Sequence, residues 1–266
     1  MLLTLSEINI YPVKSLGGIA VEQSFAGERG LTYDRRWMIT DADNKFLTQR
    51  DFPDFALIGT TFIEEGIKLF IKTAPDNQII LPYETSGDPL TAQVWDDSVT
   101  AVHYSKEADE WISSYVNSSC QFLYMPNSSR RLIPERFALN SESVSFADGF
   151  PYLVIGELSL NDLNNRLKEA VPMNRFRPNF VFTGGKAFEE DEWNFFSIGE
   201  VEFKAVKPCA RCMITTIEQE TAQKGKEPLA TLGKYRMKNN QVLFGMNVIA
   251  VTNGIIKVGD RILLKE

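Results

Sequence analysis

Turn-forming residues recur about every ten positions through the first hundred or so residues of this chain, and the stretches between them alternate apolar and polar side chains. "LTLSEINIYPV" alternates, and "GIAVEQSF" follows a Gly-Gly turn. "RRWMITDADNKFLTQ" reads as a hairpin turning at Asp41–Asn44, "ALIGTTFIEEGIKLFIK" as one turning at Glu64–Gly66, and "LTAQVWDDSVTAVHY" as one turning around Asp96–Ser98. This half of the chain therefore reads as β-rich. The pattern returns later in "NFVFTG", "IGEVEFKAVKP", "MITTIE", "QVLFGMNVIAV" and "GIIKVGDRILLK". Helices are few: "SKEADEWISSYVN" with Ser105 as N-cap, "SLNDLNNRLKEAV" with Ser159 before its apolar positions, and the short "EPLATLGKYR". Between the first two, "MPNSSRRLIPERFALNSESVSFADG" reads as a long surface loop. The expected fold is mainly β with a few helices (α+β), as barrels with added helices. The helix near residues 106–117 marks the expected boundary between a β-rich region over 1–120 and a second domain over 121–266.

The formal net charge of −7 argues against a nucleic-acid polymer as partner. The longest apolar runs fall short of the roughly 20 residues needed to span a bilayer, so no membrane span is expected. "MLLTLSEINIYPVKS" lacks a positive residue before its apolar residues, unlike a signal peptide. Three cysteines make no disulfide framework, which places the chain in a reducing cytoplasm.

Two of those cysteines lie in "KPCARCMITT", with Arg211 between them. A structural zinc site needs four ligands, and beyond this pair the chain offers only Cys120 and His103, neither in a ligand motif. A thioredoxin-like pair opens a helix, whereas "MITTI" is strand-like. Buried, inert cysteines are the plain alternative. Against it stand Lys207 and Arg211, since nearby cations favour the thiolate, and an unperturbed thiol is only about 3% ionised at pH 7. On this reading Cys212, between Arg211 and a strand, is a prepared thiolate. His103 carries no motif and reads as structural.

At these residues the chain resembles a known family. "KPCARCMITTIEQETAQKGKEPLATLGKYR" is similar to the signature of MOSC domains, the module shared by molybdenum-cofactor sulfurases and the mitochondrial amidoxime-reducing component. "YPVKSLGGI", "RGLTYDRRWMI", "NRFRPNFVFTG" and "IKVGDRI" match as well, in order, so the resemblance covers nearly the whole chain. It implies an N-terminal β-barrel region followed by a β-barrel MOSC domain, with the first ~35 residues completing the cofactor site of the second.

The resemblance also implies roles. The cofactor would be a molybdenum ion on the dithiolene of molybdopterin, with Cys212 as the protein's ligand to the metal and the catalytic residue. Lys14, Ser15 and Arg35 would hold its phosphate, and Arg177, Asn179 and Arg211 would surround pterin and metal. Gly149 and Phe150 align with a cofactor-contacting pair that carries hydroxyls in close relatives, so their contact would be through backbone. Taken alone, Lys14 reads as solvated, Arg35 as pairing with Asp34, and Arg177 as a surface residue. The activity implied is reduction of N-hydroxylated small molecules by a molybdenum-dependent oxidoreductase. Electrons would come from an external donor (flavoprotein, ferredoxin or cytochrome), because no cysteines remain for an iron–sulfur cluster. No pyridoxal phosphate is expected. The alternative is a cofactor or sulfur-carrier module without turnover of its own.

Overall fold

The computed structural model describes residues 2–83, 85 and 87–265. It is mainly β, with three α-helices among the described residues. The largest sheet runs Ile262–Lys265, Phe195–Ile198, Val201–Ala210, Gln241–Ala250, Tyr152–Gly156, Phe180–Thr183, Thr4–Ile10, Ile19–Val21, with Met237–Lys238 beside Gln241–Ala250. The first strand of the chain thus lies inside a sheet built mostly from its last third. Its alternation slips at a bulge between Leu5 and Glu7, so Leu5 and then Ile8 and Ile10 face the core.

A four-stranded sheet orders Trp37–Thr40, Gln121–Tyr124, Asp97–His103 and Pro89–Val94. The hairpin Ile58–Ile63/Gly66–Ile71 is extended by Ala74–Pro82. Gly254–Lys257, Gln23–Gly27 and Gly30–Leu31 form a further three-stranded sheet. No helix of the described residues is long and apolar enough to cross a membrane.

Several local expectations need correction. "MITTIE" is not a strand: Met213–Thr216 is a 3₁₀ turn. The hydroxyls of Thr215 and Thr216 donate back to the carbonyls of Cys212 and Met213 at 2.9 and 2.8 Å, which favours a tight turn over a ladder. The second helix, Glu157–Asn164, starts before Ser159. The Ser159 hydroxyl instead donates to Glu190 and accepts from the Phe188 amide. After Trp37–Thr40 the returning arm of the hairpin is held only by single bridges, because the Asp41 carboxylate takes the amides of Asp43 and Lys45. Strands not anticipated are Gly30–Leu31, Ala74–Pro82, Gln121–Tyr124, Phe195–Ile198, Met237–Lys238 and Tyr152–Gly156. The last is buried at all five positions and pairs in parallel with Phe180–Thr183, so it lacks the alternation that marks a half-exposed strand. The helix Lys106–Val116 does begin at Ser105, whose hydroxyl accepts from the Ala108 amide.

Glu190 is fully buried behind Tyr152–Gly156, accepting from the Ser159 hydroxyl and the Gly156 amide. Burial pushes its carboxyl up from 4.5 to about 7. A carboxyl raised on folding stabilises fully below its unfolded value and loses that contribution as pH climbs through its folded value. Glu190→Gln removes the titration. Its stability relative to wild type is expected to improve by about 3 kcal/mol between pH 4.5 and 8. Urea denaturation at both pH values measures this, and a difference that does not change with pH refutes it.

Candidate functional site

The seven residues singled out from sequence meet at one cavity: Lys14, Ser15, Arg35, Arg177, Asn179, Arg211 and Cys212 all line it. They come from four places in the chain. Lys14 and Ser15 follow the first strand, Arg35 sits in the turn before Trp37–Thr40, and Arg177 and Asn179 lead into Phe180–Thr183. Arg211 and Cys212 leave the end of Val201–Ala210. That long strand carries two register shifts, between Ala205 and Lys207 and between Pro208 and Ala210. Bulges bend a strand and re-aim its end, and here the bent end delivers Cys209 to Cys212 to the cavity wall.

Lys14 is not solvated. It is 4% exposed and donates to Asp148 at 2.6 Å and to the Phe146 carbonyl at 2.8 Å. Burial lowers its pKa, and Asp148 opposes that shift. Arg35 does pair with Asp34, through contacts of 2.7 and 2.8 Å to both carboxylate oxygens, and it lines the cavity as well. The same guanidinium donates to the Asn179 side-chain oxygen and to the Arg177 carbonyl. Asn179 is fully committed: its oxygen also accepts from the Leu153 amide and its nitrogen donates to the Asn9 carbonyl. It therefore acts by holding Arg35 and two strands in place.

Arg177 is not a free surface group. One of its nitrogens donates to the Leu16 carbonyl at 2.6 Å; the other, Nη2, is buried without a partner among the described residues. Burial, then the nearby Arg35, push its pKa down to about 10. Both guanidinium groups rest against the Tyr11 ring, 4.2 Å (Arg35) and 4.3 Å (Arg177) from its centre. Burial pushes the Tyr11 phenol up to about 12, so it stays neutral.

Arg211 bonds to the sulfur of Cys209 and not to that of Cys212. Its guanidinium donates to the Cys209 sulfur at 3.0 Å and to the Phe176 carbonyl at 2.6 Å, while its Nε is buried and unpartnered. Cys212 is exposed, Cys209 is partly buried, and Cys120 is buried in a different core. The carbonyl of Cys212 accepts both the amide and the hydroxyl of Thr215. His103 is structural, 2.6 Å from Asp109.

The charge balance follows. Of the four cations, Lys14 and Arg35 have carboxylate partners; Arg177 and Arg211 have only neutral ones among the described residues. Two uncompensated guanidinium groups, each with an unused buried N–H, call for an anion in the cavity. Backbone geometry agrees. Ser15, Arg35 and Arg177 all hold left-handed φ values, of 69°, 47° and 56°. For residues with a Cβ this is strained, and such strain gathers at binding sites.

Sequence reading missed the residues that hold this arrangement. Buried Gln49 donates to the Ser15 carbonyl and exchanges amide hydrogen bonds with buried Gln219. Arg175 donates to the Thr215 and Glu227 carbonyls, tying down the turn after Cys212. Arg131 donates to the carbonyls of Ser145, Ala147 and Asp148, fixing the loop that brings Asp148 to Lys14. Charged residues within a polar loop look solvated in sequence, and only burial distinguishes them. Gly149 and Phe150 line the cavity too, and a Cβ at Gly149 would meet nothing within 4 Å.

Comparison with known proteins finds two family matches. The MOSC domain matches residues 141–263 and the MOSC N-terminal beta barrel domain matches residues 2–119. Mitochondrial amidoxime-reducing component 1 of Mus musculus is 32% identical over 280 residues, covering 98% of this chain and 82% of its own. Mitochondrial amidoxime reducing component 2 of Rattus norvegicus is 32% identical, covering 97% and 82%. Molybdenum cofactor sulfurase of Oryza sativa is 32% identical over 91% of this chain, which corresponds to 32% of that longer protein.

Proposed function

As the chain belongs to the MOSC family, with the MOSC N-terminal barrel domain ahead of the MOSC domain, we propose that its cavity binds molybdenum cofactor and that the protein is a molybdenum-dependent oxidoreductase acting on N-hydroxylated small molecules. The observation that carries this reading is the donor set: four cations around an exposed thiol, with two buried guanidinium N–H groups unused. The residues fit the group. A terminal phosphate suits Lys14, Ser15 and Arg35, and Arg177 and Arg211 add the charge that a dianion requires. Cys212 offers the soft sulfur that suits a transition metal. The cavity is about 130 Å³, enough for the anionic end, so a larger cofactor would extend beyond it toward solvent, where Cys212 is exposed.

Bound there, the metal would supply two-electron redox chemistry and the protein the orientation. Arg177 and Arg211 would fix the anion, Asp34 and Asn179 would keep Arg35 aimed, and Tyr11 would hold two like charges side by side. Cys212, exposed at the mouth, would sit where a small substrate arrives. Electrons would come from a separate donor protein. Three unpaired thiols suit a reducing compartment such as the cytoplasm. The rice relative keeps a second reading alive, a carrier that holds cofactor or sulfur without turnover.

The deciding experiment is metal and pterin analysis of protein made in a host that synthesises the cofactor, followed by turnover of an amidoxime with a chemical electron donor. Stoichiometric molybdenum and pterin with repeated turnover supports the enzyme. Pterin without turnover supports the carrier. A folded protein with neither refutes cofactor binding.

A further inference from the structure

A second cavity, of about 600 Å³, opens on the other side of the turn that carries Arg35. That volume lies within the range of small-molecule sites. Arg35 lines the first cavity and its neighbour Arg36 lines the second, together with Arg29. Arg36 donates to the Met125 carbonyl, the Asn127 side-chain oxygen at 3.0 Å and the Tyr124 hydroxyl at 3.3 Å. Arg29 donates to the carbonyls of Pro126, Asn127 and Ser129. Neither makes a salt bridge among the described residues.

The two acids among the described residues that line this cavity are engaged elsewhere. Glu28 accepts from Arg130 and the Ser143 amide; Asp34 accepts from Arg35 and the Tyr11 amide. Burial lowers the pKa of both arginines, Arg36 acting as the second cause for Arg29. Two half-buried guanidinium groups therefore lie close together, bonded only to neutral groups among the described residues, with Glu28 offsetting part of the field at Arg29.

Four of the lining residues are aromatic: Phe25, Tyr33, Tyr83 and Tyr124. Tyr33 and Tyr83 stack at 4.5 Å, and Tyr124 lies under Arg36. At the rim Phe25 is 49% exposed, and its cross-strand partner Ile255 is 58% exposed. Aromatic rings beside two cations suit one kind of guest. We propose that this second cavity is a binding site for a planar aromatic carboxylate, its charged head on Arg29 and Arg36 and its ring against the tyrosines and Phe25. Site and ligand are separate from the proposed cofactor, and the proposal stands whether or not the first cavity holds one.

The test is fluorine NMR of 4-(trifluoromethyl)benzoate titrated with the purified protein, alongside the uncharged 4-(trifluoromethyl)benzamide and inorganic phosphate. Saturable binding of the benzoate alone is expected. Affinity should fall about tenfold in Arg36→Gln and in Arg29→Gln, the loss typical of a charge-assisted hydrogen bond. It should also fall in Phe25→Ser, which alters an exposed side chain and leaves the fold intact, and should be unchanged in Arg211→Gln. Circular dichroism checks that each variant is folded. The proposal is overturned by absence of saturable binding at millimolar benzoate, by equal binding of the benzamide or of phosphate, or by loss confined to Arg211→Gln, which would place the anion in the first cavity.

Discussion

Cys212→Ala is expected to keep its pterin and lose turnover by more than about 100-fold, since even groups that only support a metal ligand are worth 10- to 100-fold. The reasoning separates two parts of the cavity. The cations that would hold the anionic end are Lys14, Arg35, Arg177 and Arg211, and none bonds to Cys212. Removing the thiol leaves them in place, because Cys212 is exposed and only its carbonyl supports the following turn. Cys209→Ala is the control. Its sulfur meets Arg211 and packs partly against the core around Phe176, so a modest effect on pterin retention is expected with turnover largely kept. Pterin content, molybdenum content and initial rates on the same samples decide. Full activity in Cys212→Ala removes it as the metal's ligand, and full activity loss in Cys209→Ala alone would transfer the role.

Asp34→Asn is expected to destabilise the fold by about 3–5 kcal/mol, the usual penalty for breaking one side of a buried ion pair. Asp34 is 1% exposed and accepts from both the Arg35 guanidinium and the Tyr11 amide. Asparagine keeps the shape but cancels the charge. Arg35 is then left against Tyr11 beside Arg177, without its own carboxylate partner. Urea denaturation gives the magnitude. The double variant Asp34→Asn/Arg35→Gln is expected to be more stable than the sum of its single changes, because the orphaned charge is gone. A loss below about 1 kcal/mol in Asp34→Asn, or strict additivity in the double variant, contradicts this account.

Local pattern was a good guide where an element has one wet face. The hairpin at Ile58–Ile71 and the helix capped by Ser105 follow from alternation and from a capping hydroxyl, which act over a few residues. It failed where tertiary contacts override local preference. Tyr152–Gly156 is covered on both faces and shows no alternation, and "MITTI" looks like strand until its threonine hydroxyls turn back on the chain. Resemblance of motifs picked out the seven candidate residues, but it could not supply their partners.

What the sequence determined by itself is therefore the class of the fold and the placement of most strands along the chain, while the candidate site residues came from resemblance of motifs. Fold class and strand placement rest on side-chain type and spacing, and both are present before folding. What only the tertiary structure decided is which charges are compensated. Lys14 meets Asp148 across 134 residues, Arg35 meets Asn179 across 144, and Arg211 turns to Cys209 rather than Cys212. Arg177 and Arg211 keep buried N–H groups with no partner. Desolvation and pairing belong to positions in space, and those positions are set by a strand from the start of the chain joining a sheet made from its end.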